Sequence, residues 1–180
     1  MQFADTHVLI VDYRQDILDQ LSQRFSENRA IAHQCHDRIE AHGKLWELVN
    51  KGVTPRAILT NWLLQDDKAR AFYAAIGREV DHTSLNLLHN AVNIDREDQT
   101  IIVCYSKDHL ETTSAVETAG ILDKVVIVNQ NTTTIEEMVR ILMRDERTRI
   151  IKHFKEESKT DAFRRKLKEK KTLSGVAEQT

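Results

Sequence analysis

RAILTNWLL, residues 56–64, reads as a buried β-strand that stops on Thr60-Asn61-Trp62. It is the middle one of five short apolar runs. HVLIVD (7–12) and the weaker AIAHQ (30–34) precede it, and TIIVCY (100–105) and KVVIVN (124–129) follow. Between these runs the apolar spacing changes to that of helices. Residues 15–25 put Ile17, Leu18, Leu21 and Phe25 on one face. Asp37, with Glu40 three residues on, opens a second helix through Leu45, Trp46 and Val49, which Gly52 and Pro55 end. A helix through Leu110, Ala115 and Val116 closes at Gly120. Thr133 and Thr134, with Glu136 and Glu137, offer two overlapping caps for the last. The strands are apolar throughout rather than alternating, as strands covered on both faces are. The pattern predicts an α/β domain: a doubly wound, five-stranded parallel sheet between helices. In such sheets chemistry lies beyond the carboxyl ends of the strands. Here those ends carry Asp12-Tyr13, Asn61-Trp62, Tyr105-Ser106 and Asn129.

The third crossover breaks the rhythm, since residues 62–99 are more than one helix requires. A helix through Phe72, Ala75, Ile76 and Val80 is expected, then a second short helix, or an extension of the first, over 84–92.

Of the 180 residues, 41% are hydrophobic and 30% charged, which fits a globular protein with a highly charged surface. No apolar run approaches the ~20 residues of a membrane span, so no membrane partner is expected. The first residues show neither a basic region nor a cleavage site, and Cys35 and Cys104 fit a reducing compartment. The expected location is cytoplasmic. Charge is unevenly spread: residues 144–180 carry a net +5 and residues 1–143 a net −7. A balance this close to neutral makes nucleic acid a partner only through a separate output domain.

The loop after the first strand, DYRQD, has no glycine, and neither a P-loop nor a Gly-x-Ser-x-Gly elbow occurs. Cofactors are therefore expected to be none, and no nucleophile, base or cofactor loop marks an enzyme. His33, Cys35, His36 and His42 match no standard zinc spacing, and the histidines read as solvent-facing at the edge of the second strand, so no metal is assigned.

VLIVDY…DILDQL, AILTNWLL, IIVCYS…SAVETAGI and VVIV…TTTIEEMVRIL, in this order and spacing, resemble the receiver domains of bacterial response regulators. The resemblance covers roughly residues 6–143 and implies a flavodoxin-like sheet of order 2-1-3-4-5. It divides the chain into a receiver-like domain (1–143, with an insertion at about 63–99), a basic helical extension (144–171) and a flexible tail (172–180).

The resemblance also implies a site, and this chain departs from it. A working receiver holds Mg²⁺ with two adjacent acids after strand one; here they are Asp12 and Tyr13. The phospho-accepting Asp after strand three is Asn61, followed by Trp62. Tyr105 falls at the Thr/Ser after strand four, with Ser106 next to it. Ile127 stands at the ungapped place of the lysine after strand five, and Gln65 at that of the proline after the acceptor. Phosphoryl transfer depends on a metal and a cation to balance the phosphoryl oxygens, and an amide is no substitute for a carboxylate nucleophile. The implied class is a degenerate pseudo-receiver, a non-phosphorylated regulatory interaction module in signal transduction, standing alone or as the N-terminal part of a larger regulator. The alternatives are a small-molecule sensor using the degenerate pocket, or a regulator phosphorylated at an unusual site.

Individual residues keep two readings. Asp12 is a metal ligand or a capping acid. Asn61 is a ligand-binding amide or a structural hydrogen-bonding residue. Tyr105 is a conformational switch or a static, half-buried aromatic. Trp62 covers the pocket or packs the insertion. The basic extension places Ile150, Ile151, Phe154, Phe163 and Leu167 at helical spacing. A helix protruding from about residue 134 to about 171 exposes them, so a protein partner, a homodimer seam or the acidic body itself is expected to cover them.

Overall fold

A computed structural model describes residues 6–64, 83–95, 99–144, 149–150 and 152–153. Its elements are β1 (Thr6–Val11), α1 (Gln15–Glu27), β2 (Ala30–Cys35), α2 (Arg38–Asn50), β3 (Ala57–Asn61), α3 (Leu85–Ile94), β4 (Ile101–Ser106), α4 (His109–Thr118), β5 (Val125–Asn129) and α5 (Ile135–Arg144). The strands form one parallel sheet in the order β2-β1-β3-β4-β5. This is the flavodoxin-like receiver arrangement.

Uniformly apolar strands serve two cores at once, because successive side chains point to opposite faces. Val8, Ile10, Leu59, Val103 and Val126 pack with Leu18, Leu21 and Phe25 of α1 and with Met138, Val139 and Leu142 of α5. Leu9, Val11, Ile58, Ile102 and Ile127 pack on the other face with Leu45 of α2, Leu87 and Leu88 of α3, and Val116 of α4. Ile127, at the ungapped lysine position, is thus a core residue.

Two helices turn otherwise than their apolar residues suggest. In α2 the inward stripe is Ala41, Leu45 and Leu48, while Trp46 and Val49 are exposed. Each lies one residue, about 100° of helical turn, beyond an inward position. In α4 the buried residues are His109, Thr112 and Val116, and Leu110 is exposed for the same reason.

Asp37 caps α2 as expected, its Oδ1 accepting from the N–H groups of Ile39 and Glu40 at 2.7 and 2.9 Å. Glu40 reaches back to the N–H of His36 rather than to that of Asp37. His33 is not simply solvent-facing. Its Nε2 meets Nδ1 of His7 at 2.8 Å, with ring planes 7° apart and centroids 5.2 Å apart, an edge-to-edge N–H···N bond. Among the described residues no group of three or more His, Cys, Asp or Glu is placed to hold a metal.

The third crossover includes α3, starting close to the expected 84–92. The helix expected through Phe72 to Val80 lies outside the described residues. An antiparallel bridge between Leu63 and Thr83, and a bond from Ser84 N–H to the Trp62 carbonyl at 2.9 Å, tie the two ends of the intervening segment together.

At the C-terminal end, Ile150 is corrected as a possible interface residue, the body being the cover among those expected. Ile150 is fully buried and belongs to the core on the α1–α5 face, with Leu142 and Met143. The body covers it, so it offers no surface to a second copy. Ile151, Phe154, Phe163 and Leu167 lie outside the described residues.

Helices α2 and α4 end alike. Gly52 N–H bonds the Val49 carbonyl at 2.9 Å and Val53 N–H the Leu48 carbonyl at 2.9 Å. Gly120 N–H bonds Glu117, and Ile121 N–H bonds Val116. Both are Schellman ends with a left-handed glycine at φ +72°. A Cβ on Gly120 would meet nothing within 4 Å, so its cost is backbone strain alone. Gly120→Ala is expected to lower stability by about 1 kcal/mol in urea unfolding, with the sheet intact by circular dichroism.

Candidate functional site

Asp12 follows β1 at the carboxyl edge of the sheet, next to the end of β3, and is fully buried. A carboxylate taken out of water costs several kcal/mol unless it is paired and hydrogen-bonded. Here five donors meet it. Oδ1 accepts from the Arg14 backbone N–H at 2.9 Å and from Arg14 Nε at 3.0 Å. Oδ2 accepts from Arg14 Nη2 at 2.8 Å, Asn61 Nδ2 at 3.1 Å and Tyr105 Oη at 2.9 Å. A carboxylate offers about four lone-pair sites, so this one is saturated. The Arg14 grip is the bidentate fork that guanidinium geometry favours.

Each partner is placed by its element. Asn61 ends β3 and pairs in register with Tyr105 of β4. Asn61 holds both amide ends, since its Oδ1 also accepts from Leu63 N–H at 3.3 Å. Tyr105 is 3% exposed, more deeply buried than the half-buried aromatic expected, and its hydroxyl turns inward to Asp12. Burial first, and then the neighbouring Asp12 charge, push the Tyr105 phenol well above its ordinary value. The hydrogen bond to Asp12 raises the Arg14 guanidinium further.

The other expected site residues do not bond Asp12. Tyr13 is half-buried with the Arg14 guanidinium 5.5 Å from its ring centroid. Trp62 is buried in the core of the α2–α3–α4 face with Leu64, Leu87 and Leu88, and its indole N–H has no hydrogen-bond partner among the described residues. Ser106 accepts from the Asp108 N–H through Oγ at 3.1 Å and from the Gln130 N–H through its carbonyl. It therefore helps to organise the start of α4. Cys104 and Cys35 are buried thiols pushed up to about 12 by burial, which makes them poor nucleophiles.

Arg14 is the residue that sequence reasoning passed over. Its signal was a charge deficit: with no lysine after β5, a buried Asp12 needed a cation from elsewhere, and Arg14 is two residues away.

The receiver resemblance implies Mg²⁺ at this edge, and these residues do not fit it. Mg²⁺ favours near-octahedral oxygen ligands, usually with carboxylates among them. The single carboxylate is already saturated, a guanidinium lies against both its oxygens, and a tyrosine stands at the second acid.

No protein-family model and no curated protein matches the chain. Solved structures do. A response regulator receiver domain protein from Clostridium thermocellum is 10% identical, with TM-score 0.55 over 83% of this chain and 97% of that one. A chemotaxis protein from Vibrio cholerae is 14% identical, with TM-score 0.54 over 78% and 98%. A response regulator from Burkholderia pseudomallei, solved with a phosphorylated aspartic acid, calcium ion and citrate, is 12% identical, with TM-score 0.54 over 81% and 71%. At these identities the likeness establishes the fold. The chain has the flavodoxin-like receiver fold.

Tyr105→Phe removes one neutral donor from Asp12 and is expected to cost about 1 kcal/mol at pH 7. The folded chain holds the phenolic proton more tightly than the unfolded chain, where it titrates near 10. That contribution is full below about pH 10 and falls as pH rises toward the higher folded value. The stability gap between wild type and Tyr105→Phe should therefore stay level up to about pH 10 and narrow above it in urea unfolding.

Proposed function

We propose that this protein is a phosphorylation-independent receiver-like module, a non-catalytic regulatory part that acts through a protein partner. The observation that carries this reading is the saturated Asp12 carboxylate, held by Arg14, Asn61 and Tyr105. In a phosphorylated receiver, metal and lysine charges meet the incoming phosphoryl group. Here one built-in guanidinium supplies the positive charge and is already neutralised. Asn61 offers an amide donor where a nucleophilic oxygen is required. The module would then rest in one electrostatic state set by its own side chains, with its output governed by what binds it.

A small phosphodonor with Mg²⁺ is expected to leave the intact mass unchanged. Asn61→Asp alone should not restore labelling, because Arg14 still occupies Asp12 and no second acid is present. A stoichiometric phosphate adduct on either chain overturns the reading.

Self-association is a second part of the proposal, resting on the apolar residues at helical spacing beyond residue 150. Truncation at Arg144 would remove Ile150 from the core and confound the result. A chain ending after His153 retains it. Sedimentation should show a dimer for the full chain and a monomer for the shortened one; two monomers exclude the extension as a seam.

A further inference from the structure

Arg14 and Tyr105, the residues that hold Asp12, also border a cavity of about 210 Å³ between α1 and α5. Ile17 and Leu21 of α1, Val128 of β5 and Met138 of α5 give it apolar walls. Gln130, Thr133 and Thr134 add hydrogen-bonding groups. Thr134 is exposed and Gln130 half-buried, so the cavity is reached from solvent on that side. Among the described lining residues Arg14 carries the one formal charge. Arg14 commits Nε and Nη2 to Asp12, and its Nη1 makes no hydrogen bond among the described residues. The Gln130 side-chain amide likewise makes none there. At about 20–30 Å³ per heavy atom, the space suits an occupant of roughly seven to ten heavy atoms.

We propose that this cavity binds a small organic monoanion, a carboxylate set against Arg14 and Gln130 with an apolar body among Ile17, Leu21, Val128 and Met138. A cation would face Arg14 with no acidic wall residue to balance it. A larger or doubly charged anion would exceed the volume or the one N–H edge that Arg14, paired with Asp12, has left. Arg14 joins the two sites: the guanidinium that receives the ligand also fixes Asp12 and, through it, Asn61 and Tyr105. Occupancy would thus tighten or relax the carboxyl edge of β1, β3 and β4 together. This deepens the reading of a module without phosphoryl input. Its test reads binding, whereas the phosphodonor test reads labelling, so either can fail alone.

The probe is benzoate, titrated into the full chain with methyl resonances of Ile, Leu, Val and Met observed by NMR. Saturable shifts centred on Ile17, Leu21, Val128 and Met138 are expected, with benzamide and benzylamine binding at least about tenfold more weakly. Ile17→Phe, which fills the cavity from the partly buried edge of α1, should weaken benzoate by at least about tenfold while the rest of the spectrum stays folded. Arg14→Met should abolish the preference for benzoate over benzamide; if that chain fails to fold, Ile17→Phe decides the location and benzamide the charge. No saturable shift at millimolar benzoate, equal binding of benzamide, or benzoate binding undiminished by Ile17→Phe overturns the proposal.

Discussion

A fully buried carboxylate has to be answered from within the fold, and Asp12 organises the functional edge around that requirement. Four of the five groups that answer it are side-chain donors from three different elements: Arg14 from the β1–α1 turn, Asn61 from β3 and Tyr105 from β4. Removing any one leaves the others to carry an incompletely compensated charge, so the three are coupled rather than additive. The parallel register makes this geometry available. Val11 pairs with Thr60, and Asn61 with Tyr105, so the three strand ends lie side by side.

The electrostatic economy of the site is closed. In a receiver that takes a phosphoryl group, positive charge must exceed what the resting acids consume. Here the guanidinium and the carboxylate cancel in a bidentate pair, and the remaining donors are neutral. Arg14 is also the only one of the three with substantial contact to solvent, its side chain 25% exposed. Anything that acts on this edge from outside therefore acts first on Arg14.

Much of the fold was legible because apolar strands in a parallel sheet announce themselves without reference to neighbours. Strand ends at Asp12, Asn61 and Asn129 followed from that, as did the glycine ends of α2 and α4. What escaped depended on tertiary neighbours. Trp46 and Leu110 look like core residues on composition, yet each sits one position beyond the stripe that the helix buries. Tyr105 was placed at the right strand end, but its depth depends on Asp12 supplying an acceptor inside the core. Arg14 was invisible because an arginine in a polar turn usually faces water, and only the buried acid beside it says otherwise. Ile150 was left with three possible covers, a partner, a second copy or the acidic body, since the choice among them depends on packing that no local pattern encodes.

The bridge between Leu63 and Thr83 has a consequence for how this chain can change. It closes the base of the third crossover before the intervening residues begin, and the Ser84–Trp62 bond reinforces that stem. Added length beyond a closed stem costs only logarithmically in entropy, about 0.6 kcal/mol per doubling. The pairing of Asn61 with Tyr105 lies on the sheet side of the stem. The crossover can therefore lengthen, shorten or acquire new sequence while the edge that holds Asp12 keeps its spacing. In this fold, divergence in that segment is mechanically uncoupled from the constraint on the buried acid.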